Sequence, residues 1–355
     1  MKTWDAIVAG GGVIGLSLAW RLKARGLRVL VIEKQEPARE ASYAAGGMIA
    51  SCDPHIPAAL RPLVAASAQM YPEFVLELQA ESGESADLRN AGTIAYLKTG
   101  EASNCAEARR LSAIQAQELE PLLAPKEDAW LLPECSVDPR GLGRALIQAT
   151  KRLGVDFVTG SLVIEVIAAN GRAMGLRTAR SEYAANIVVN CAGAWAALIQ
   201  PLSIPTRPVK GQMVCLVPQP GAPHGPLLQH VVRTPNVYII PRSDGRILLG
   251  ATVEEAGFDK QVDPDMILRL HQAGVDAVPA LGEMRIHDSW AGLRPGTPDN
   301  LPILGETSLP GYYAATGHFR DGIMLAPITA KLIAELVTEN EPAYDLKPFS
   351  PLRFG

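Results

Sequence analysis

Cysteine is scarce and unpaired in this chain. Cys52, Cys105, Cys135, Cys191 and Cys215 are odd in number, scattered and never in CxxC spacing. This suits reduced thiols that serve as packing groups, and excludes a disulfide scaffold. Six histidines include no HExxH or HxH pair, and His224 with His230 falls in a Pro/Gly-rich loop, so no structural metal is expected. Blocks of one charge are missing too. Thirty-three basic against 37 acidic residues leave a formal charge of -4, which argues against nucleic acid as a main partner. The longest uncharged apolar stretch near the N-terminus, Ala6 to Trp20, is fifteen residues. Neither a signal peptide nor a membrane span is indicated, and a cytoplasmic location is expected.

What is there is a chain of 355 residues, 48% hydrophobic and 20% charged, long enough for two domains and a large core. Its most informative stretch is Gly10-Gly11-Gly12-Val13-Ile14-Gly15. Trp4 to Ala9 before it reads as a buried parallel strand, Val13 to Arg25 carries helical periodicity, and Leu27 to Ile32 reads as a second buried strand ending at Glu33. Together these make a dinucleotide cradle. Gly10 permits the tight turn, Gly12 lets backbone amides approach a pyrophosphate, Gly15 allows close helix packing, and the helix N-terminus supplies partial positive charge. Glu33 would accept hydrogen bonds from ribose hydroxyls.

Small residues from Ala41 to Ala50 build no conventional helix face; backbone close to a flat ligand and a plain packing loop both account for them. Helical patterns run from Pro57 to Ser82, and Thr93 to Lys98 alternates like a strand. Asp138-Pro139 is an N-cap and first-turn pair for a helix to about Leu153, stopped by Gly154. Val155 to Thr159, Ser161 to Val166 and Asn186 to Cys191 read as strands, the last leading into Ala192-Gly193-Ala194-Trp195 as another piece of the nucleotide layer. Seven prolines among the 26 residues from Pro201 to Pro226 carry the chain out through extended connections. Tyr238 to Pro241 and Arg246 to Leu249 flank Ser243-Asp244-Gly245 as a hairpin. Leu304 to Thr316 is strand-like, and Gly322 opens an apolar helix to about Val337. The expected fold is α/β, α+β overall. A discontinuous Rossmann-like domain (1-88, 137-207 and 285-355) carries an inserted antiparallel-sheet domain (89-136 and 208-284), with ligands favoured between them.

Two polar islands interrupt apolar sequence, Ser289 to Asn300 and Gly317 to Met324. Arg294 precedes a rigid Pro-Gly turn, where its planar fork of donors would either hold a carboxylate or form a structural salt bridge. Gly317 and Gly322 flank a loop at a helix start, which suits amides aimed at a ligand and equally an ordinary capped helix.

The cradle with Glu33, the Ala44-Ala45-Gly46-Gly47-Met48 loop, Pro208-Val209-Lys210-Gly211-Gln212, Trp290 to Thr297 and Gly317 to Pro327 resemble, in order and essentially end to end, the D-amino acid oxidase superfamily. The nearest resemblance within it is to the glycine oxidases of thiamine biosynthesis. It implies FAD, held non-covalently because Ile303 to Pro327 contains no cysteine. It further implies oxidation of a small amino acid, glycine first, by hydride transfer from Cα to flavin N5. Molecular oxygen would be the acceptor, giving hydrogen peroxide, and a homo-oligomer is expected. A D-amino acid or sarcosine-type oxidase, a dehydrogenase with another acceptor, and a non-catalytic FAD-binding subunit stay open.

The resemblance places Val13 and Ile14 on the pyrophosphate turn, Glu33 and Lys34 at the adenosine ribose, and Ala41 with Ser42 beside the phosphates. Gly46, Gly47 and Met48 would face the isoalloxazine, and Val163 would lie at the adenine. Gly193 joins the cofactor set, and His318, Phe319, Arg320, Asp321, Gly322, Ile323 and Met324 surround the pyrimidine end of the flavin. Arg294 would clamp the substrate carboxylate, with the Tyr238 hydroxyl assisting and Arg320 as a second substrate-side arginine. Asp321 stands where the pattern usually has Asn, and a negative charge there would disfavour a reduced, anionic flavin.

Overall fold

Strand Ala6–Ala9 is apolar at every position and buried throughout, which suits a parallel sheet covered on both faces. The computed structural model describes residues 3–97, 105–124, 127–221, 225–339 and 341–354. In it Ala6–Ala9 pairs in parallel with Val29–Ile32 on one side and Ile187–Asn190 on the other. Asp156–Val158 and Tyr312–Thr316 extend the sheet in parallel, and Ile303–Glu306 closes one edge antiparallel. Side chains alternate between two cores. Ala6 and Val8 pack toward helices Val13–Ala24, Arg61–Ser82, Pro139–Arg152 and Gly322–Thr338, whereas Ile7 and Ala9 pack toward a three-stranded sheet of Val163–Ala169, Arg172–Thr178 and Glu182–Ala184. The Asp138 carboxylate caps its helix by accepting from Arg140 N at 3.1 Å.

Several sequence readings change in detail. Leu304 to Thr316 forms two antiparallel strands, because Gly311 turns the chain with a φ of +82°. Ala41–Ala44 completes one helical turn, and Met48–Ile49 then pairs with Cys135–Ser136. Strands Arg172–Thr178 and Glu182–Ala184 were not legible in the sequence pattern.

A second sheet has eight strands. Its order is Arg285–Gly296, Arg207–Val217, Ile247–Gly250, Tyr238–Pro241, Val231–Arg233, Thr93–Ala95, Ala129–Leu132 and Arg109–Leu111. The hairpin pairs Tyr238 with Gly250 and Pro241 with Ile247. Strand Arg285–Gly296, grouped by the sequence division with the nucleotide layer, runs antiparallel along Arg207–Val217. Helix Pro264–Ala277 covers this sheet with Ile267 and Leu270 against Val214 and Leu249. His230 Nδ1 lies 2.8 Å from Glu120 Oε1; Lys98 and His224 fall outside the described residues. Among the described residues no helix is long and apolar enough to cross a membrane.

Candidate cofactor and substrate site

The carboxyl ends of the parallel strands and the inner edge of the larger sheet enclose one cavity of about 590 Å³. This is where open α/β sheets place ligands. At its first end the chain offers backbone. Gly10 has a φ of +104°, and a Cβ on it would lie 2.5 Å from Cys191 O. A Cβ on Gly15 would lie 2.0 Å from Gly10 O, so this glycine seats the helix against the turn without lining the cavity. Gly10, Gly12, Val13 and Ile14 line it, as do Val163 and Gly193. Val13 N donates to Ser42 Oγ at 2.9 Å. Glu33 is buried at the end of its strand, accepting from Gly11 N at 2.7 Å and Gln35 N at 3.0 Å, which fixes both carboxylate oxygens. Lys34 Nζ lies 2.6 Å from Glu40 Oε1 and 3.4 Å from the centre of the Trp195 ring.

The middle of the cavity is bounded by Ala41, Ser42, Gly46, Gly47 and Met48. Three bonds hold the carbonyls of this loop: Trp290 Nε1 to Ala44 O at 3.1 Å, Arg242 Nη2 to Gly46 O at 2.6 Å, and Val137 N to Gly47 O at 2.8 Å. The Arg140 guanidinium lies 4.0 Å from the Tyr43 ring centre and 4.3 Å from that of Trp290. Arg242 is fully buried, with Nε and Nη1 unbonded, and burial pulls its pKa down to about 10. Sequence reasoning missed Arg242; the available signal was a charged residue directly after the buried Tyr238–Pro241 strand.

At the far end stands Arg294, in register with Val209 of the neighbouring strand. Its Nη1 donates to Thr252 O at 3.0 Å and Lys210 O at 3.3 Å. The guanidinium lies on Gly211, where a Cβ would approach Nη1 to 2.1 Å. Among the described residues no carboxylate pairs with Arg294, so the structural salt bridge considered from the sequence is not formed. Burial, and next the charge of Arg320, pull its pKa down to about 10, opposed by Tyr238 and Glu254. Tyr238 lines the same end, and so does Arg320, which is exposed. Phe319, Gly322, Ile323 and Met324 complete this wall.

His318 Nε2 lies 3.0 Å from Thr329 Oγ1, and burial holds its pKa at about 3, so the ring is neutral. Asp321 begins helix Gly322–Thr338 without a side-chain cap bond. Burial, reinforced by the charge of Asp53 and opposed by Arg320, pushes its carboxyl up to about 7. The full negative charge anticipated there is therefore reduced near neutral pH. A further pair of groups escaped the sequence reading: buried Arg233 lies 3.6 Å from both Asp53 and Glu134, and Arg233 and Asp53 line the cavity.

Every candidate residue except Gly15 thus borders one space, running from a glycine cradle with a fixed acid to a guanidinium bonded to backbone carbonyls. A long dinucleotide with a flat ring fits such a lining. The family described as FAD dependent oxidoreductase matches residues 5–336. The chain belongs to it. The bifunctional protein ThiO/ThiG of Trichormus variabilis is 34% identical over 99% of this chain and 55% of its own length, so the chain spans about half of such relatives. The hydrogen cyanide synthase subunit HcnC of Pseudomonas aeruginosa is 32% identical, covering 99% of this chain and 97% of that protein. The crystal structure of glycine oxidase from Geobacillus kaustophilus superposes with a TM-score of 0.89 at 33% identity, covering 99% of this chain and 98% of that one. The chain is a mixed α/β, FAD-dependent oxidoreductase related to the glycine oxidases.

Proposed function

We propose that this flavoenzyme oxidises a small amino acid, glycine first, to the imine, which water hydrolyses to glyoxylate and ammonia, with molecular oxygen as acceptor and hydrogen peroxide as product. The observation that carries the reading is Arg294, a cation at the end of the cofactor cavity whose side chain, among the described residues, bonds to two backbone carbonyls and to no carboxylate. Its remaining donors form a fork for a substrate carboxylate, with Tyr238 assisting and Arg320 closing the opposite side. Gly10 to Ile14 with Glu33, and Gly46 to Met48, would hold FAD in this cavity, and the bound cofactor would supply the hydride-accepting centre. The protein's own work is then positional: the clamp fixes Cα, the walls exclude water, and a deprotonated amine supplies the electron push without a protein base. His318, buried and bonded to Thr329 with its pKa lowered to about 3, is too weakly basic to be that base. The nucleotide domain (1-88, 137-207 and 285-355) and the inserted domain (89-136 and 208-284) divide these tasks in this reading, and a homo-oligomer remains part of it.

The test is anaerobic mixing with glycine, sarcosine, D-alanine and D-proline, following flavin absorbance before oxygen is admitted and peroxide assayed. Bleaching by glycine and peroxide on reoxygenation are expected. Bleaching by glycine without peroxide would overturn oxygen as the acceptor and leave transfer to another acceptor. Arg294→Ala should raise KM by a factor equivalent to roughly 2 to 4 kcal/mol while FAD content holds. Loss of FAD with unchanged KM would remove Arg294 from the clamp.

A further inference from the structure

Arg294 is aimed by two carbonyl oxygens, and the same small network fixes both. Thr252 O and Lys210 O are the acceptors of its Nη1. Glu254 grips Lys210 through a reciprocal pair of backbone bonds, Lys210 N to Glu254 O and Glu254 N to Lys210 O, each 2.9 Å. The Glu254 side chain reaches Thr252 as well, since Oε1 accepts from Thr252 Oγ1 and, at 2.9 Å, from Gln212 Nε2. Gln212 is fully buried; its backbone N donates to Thr252 Oγ1 at 2.9 Å, and its Oε1 accepts from Asp263 N at 2.7 Å. The Lys210 ammonium, 3.7 Å from Glu254 Oε2, offsets the charge of the acid. Among the described residues none of these side chains hydrogen-bonds the Arg294 guanidinium, and Glu254 acts on it directly only through its charge, yet each constrains where an acceptor of Nη1 lies.

We propose that Glu254, acting with Thr252 and Gln212, is a positioning residue for the Arg294 guanidinium. The proposal deepens the reading of Arg294 as the carboxylate clamp and rests on it. A planar guanidinium held at one nitrogen can pivot about that bond, and a second fixed carbonyl on the same nitrogen removes the pivot. The other donors then point one way into the cavity. Releasing Thr252 from Glu254 frees its carbonyl to drift, so the fork loses alignment while the charge stays. Carboxylate affinity should fall, and FAD binding, at the other elements of the cavity, should not.

The test titrates FAD-loaded enzyme with acetate, a bare carboxylate, by calorimetry and by flavin difference absorbance, with FAD content and melting temperature monitoring the fold. Glu254→Ala and Thr252→Val should each weaken acetate about tenfold, as loss of one hydrogen bond in such a network does. Glu254→Gln keeps an oxygen acceptor for Thr252 and Gln212 and should stay within about threefold of the parent, while Arg294→Ala should lose about a hundredfold. KM for the amino acid should rise in step with these constants, with kcat within a few-fold. Parent-like acetate binding in both Glu254→Ala and Thr252→Val, alongside its loss in Arg294→Ala, overturns the positioning role alone. Parent-like binding in Arg294→Ala overturns the clamp and the positioning role with it. Equal losses in Glu254→Gln and Glu254→Ala overturn the acceptor role in favour of charge. Should Glu254→Ala fail to fold, Thr252→Val decides by the same criterion.

Discussion

At the adenosine end of the cavity the chain presents backbone, and at the far end it presents guanidinium groups. The core of the first end is assembled within residues 10–35: a turn at Gly10, a helix start at Val13, and Glu33 bonded to Gly11 and Gln35. The second draws Arg294, Tyr238 and Arg320 from strands and a loop far apart in sequence, and holds Arg294 through carbonyls with no ion pair among the described residues. The contrast follows from the ligands. A pyrophosphate needs close approach and a diffuse positive field, which amides and a helix dipole give at any side-chain composition. A small carboxylate needs a directed fork, which only a fixed side chain gives. The first end, Glu33 apart, should therefore tolerate exchanged side chains and fail on added volume, and the second should fail first on exchanged side chains.

The largest effect expected is Gly15→Ala. Its Cβ would sit 2.0 Å from Gly10 O, backbone against backbone, so the helix must lift off the turn. Overpacking of this kind destabilises by about 3 kcal/mol, and the purified protein should be depleted of FAD, seen as a low ratio of flavin to protein absorbance. Full FAD content with an unchanged melting temperature would break the comparison at its first term.

Gly211→Ala tests whether the far end contains one position that also fails on volume, for a different reason. The added Cβ would lie 2.1 Å from Arg294 Nη1 and 2.4 Å from Cζ, so the neighbour that must yield is a side chain. The guanidinium should be displaced and the fold kept. KM should rise by about a hundredfold, the effect of losing a charge-assisted pair, with FAD content unchanged. Equal loss of FAD in Gly15→Ala and Gly211→Ala would mean that the two ends are one unit.

The same contrast explains what could be read in advance. Strand, turn, helix, strand and acid follow one another without a long-range step, so periodicity and glycine spacing sufficed for Ala6 to Glu33. Arg294 stood out as a polar island, but its acceptors, Lys210 O and Thr252 O, lie 84 and 42 residues away, and no local pattern encodes them. Arg242 was passed over for the same reason: its role is a bond to Gly46 O, 196 residues distant. Strand Arg172–Thr178 was hidden by register shifts at Ala173/Gly175 and Arg177/Thr178, which interrupt the alternation that marks a half-buried strand. Asp321 was visible as a departure from the family pattern, while its ionisation depends on burial and on Asp53, which only the folded chain brings near.

Asp321 supplies the smallest and most selective test, because it puts a titrating group beside the guanidinium end. Its carboxyl is raised in the folded chain from an ordinary 3.8 to about 7. Between those values the folded state binds a proton that the unfolded state releases, so this group's contribution favours folding at low pH and is lost as pH rises through about 7. Asp321→Asn removes the dependence. The variant should melt close to the parent near pH 4, gain on it steadily toward pH 7 and keep a constant lead above that. The lead should be about 2 kcal/mol, less than the full shift implies because solvent in the cavity screens the charge. His318 acts in the opposite sense, since its folded pKa of about 3 lies below 6.5 and its contribution is lost as pH falls through that window. It is common to both proteins and cancels in their difference. Melting curves of parent and variant stripped of FAD, from pH 4 to pH 8, give that difference directly. A lead that does not change with pH would mean that Asp321 stays ionised in the fold, restoring a full negative charge opposite Arg320.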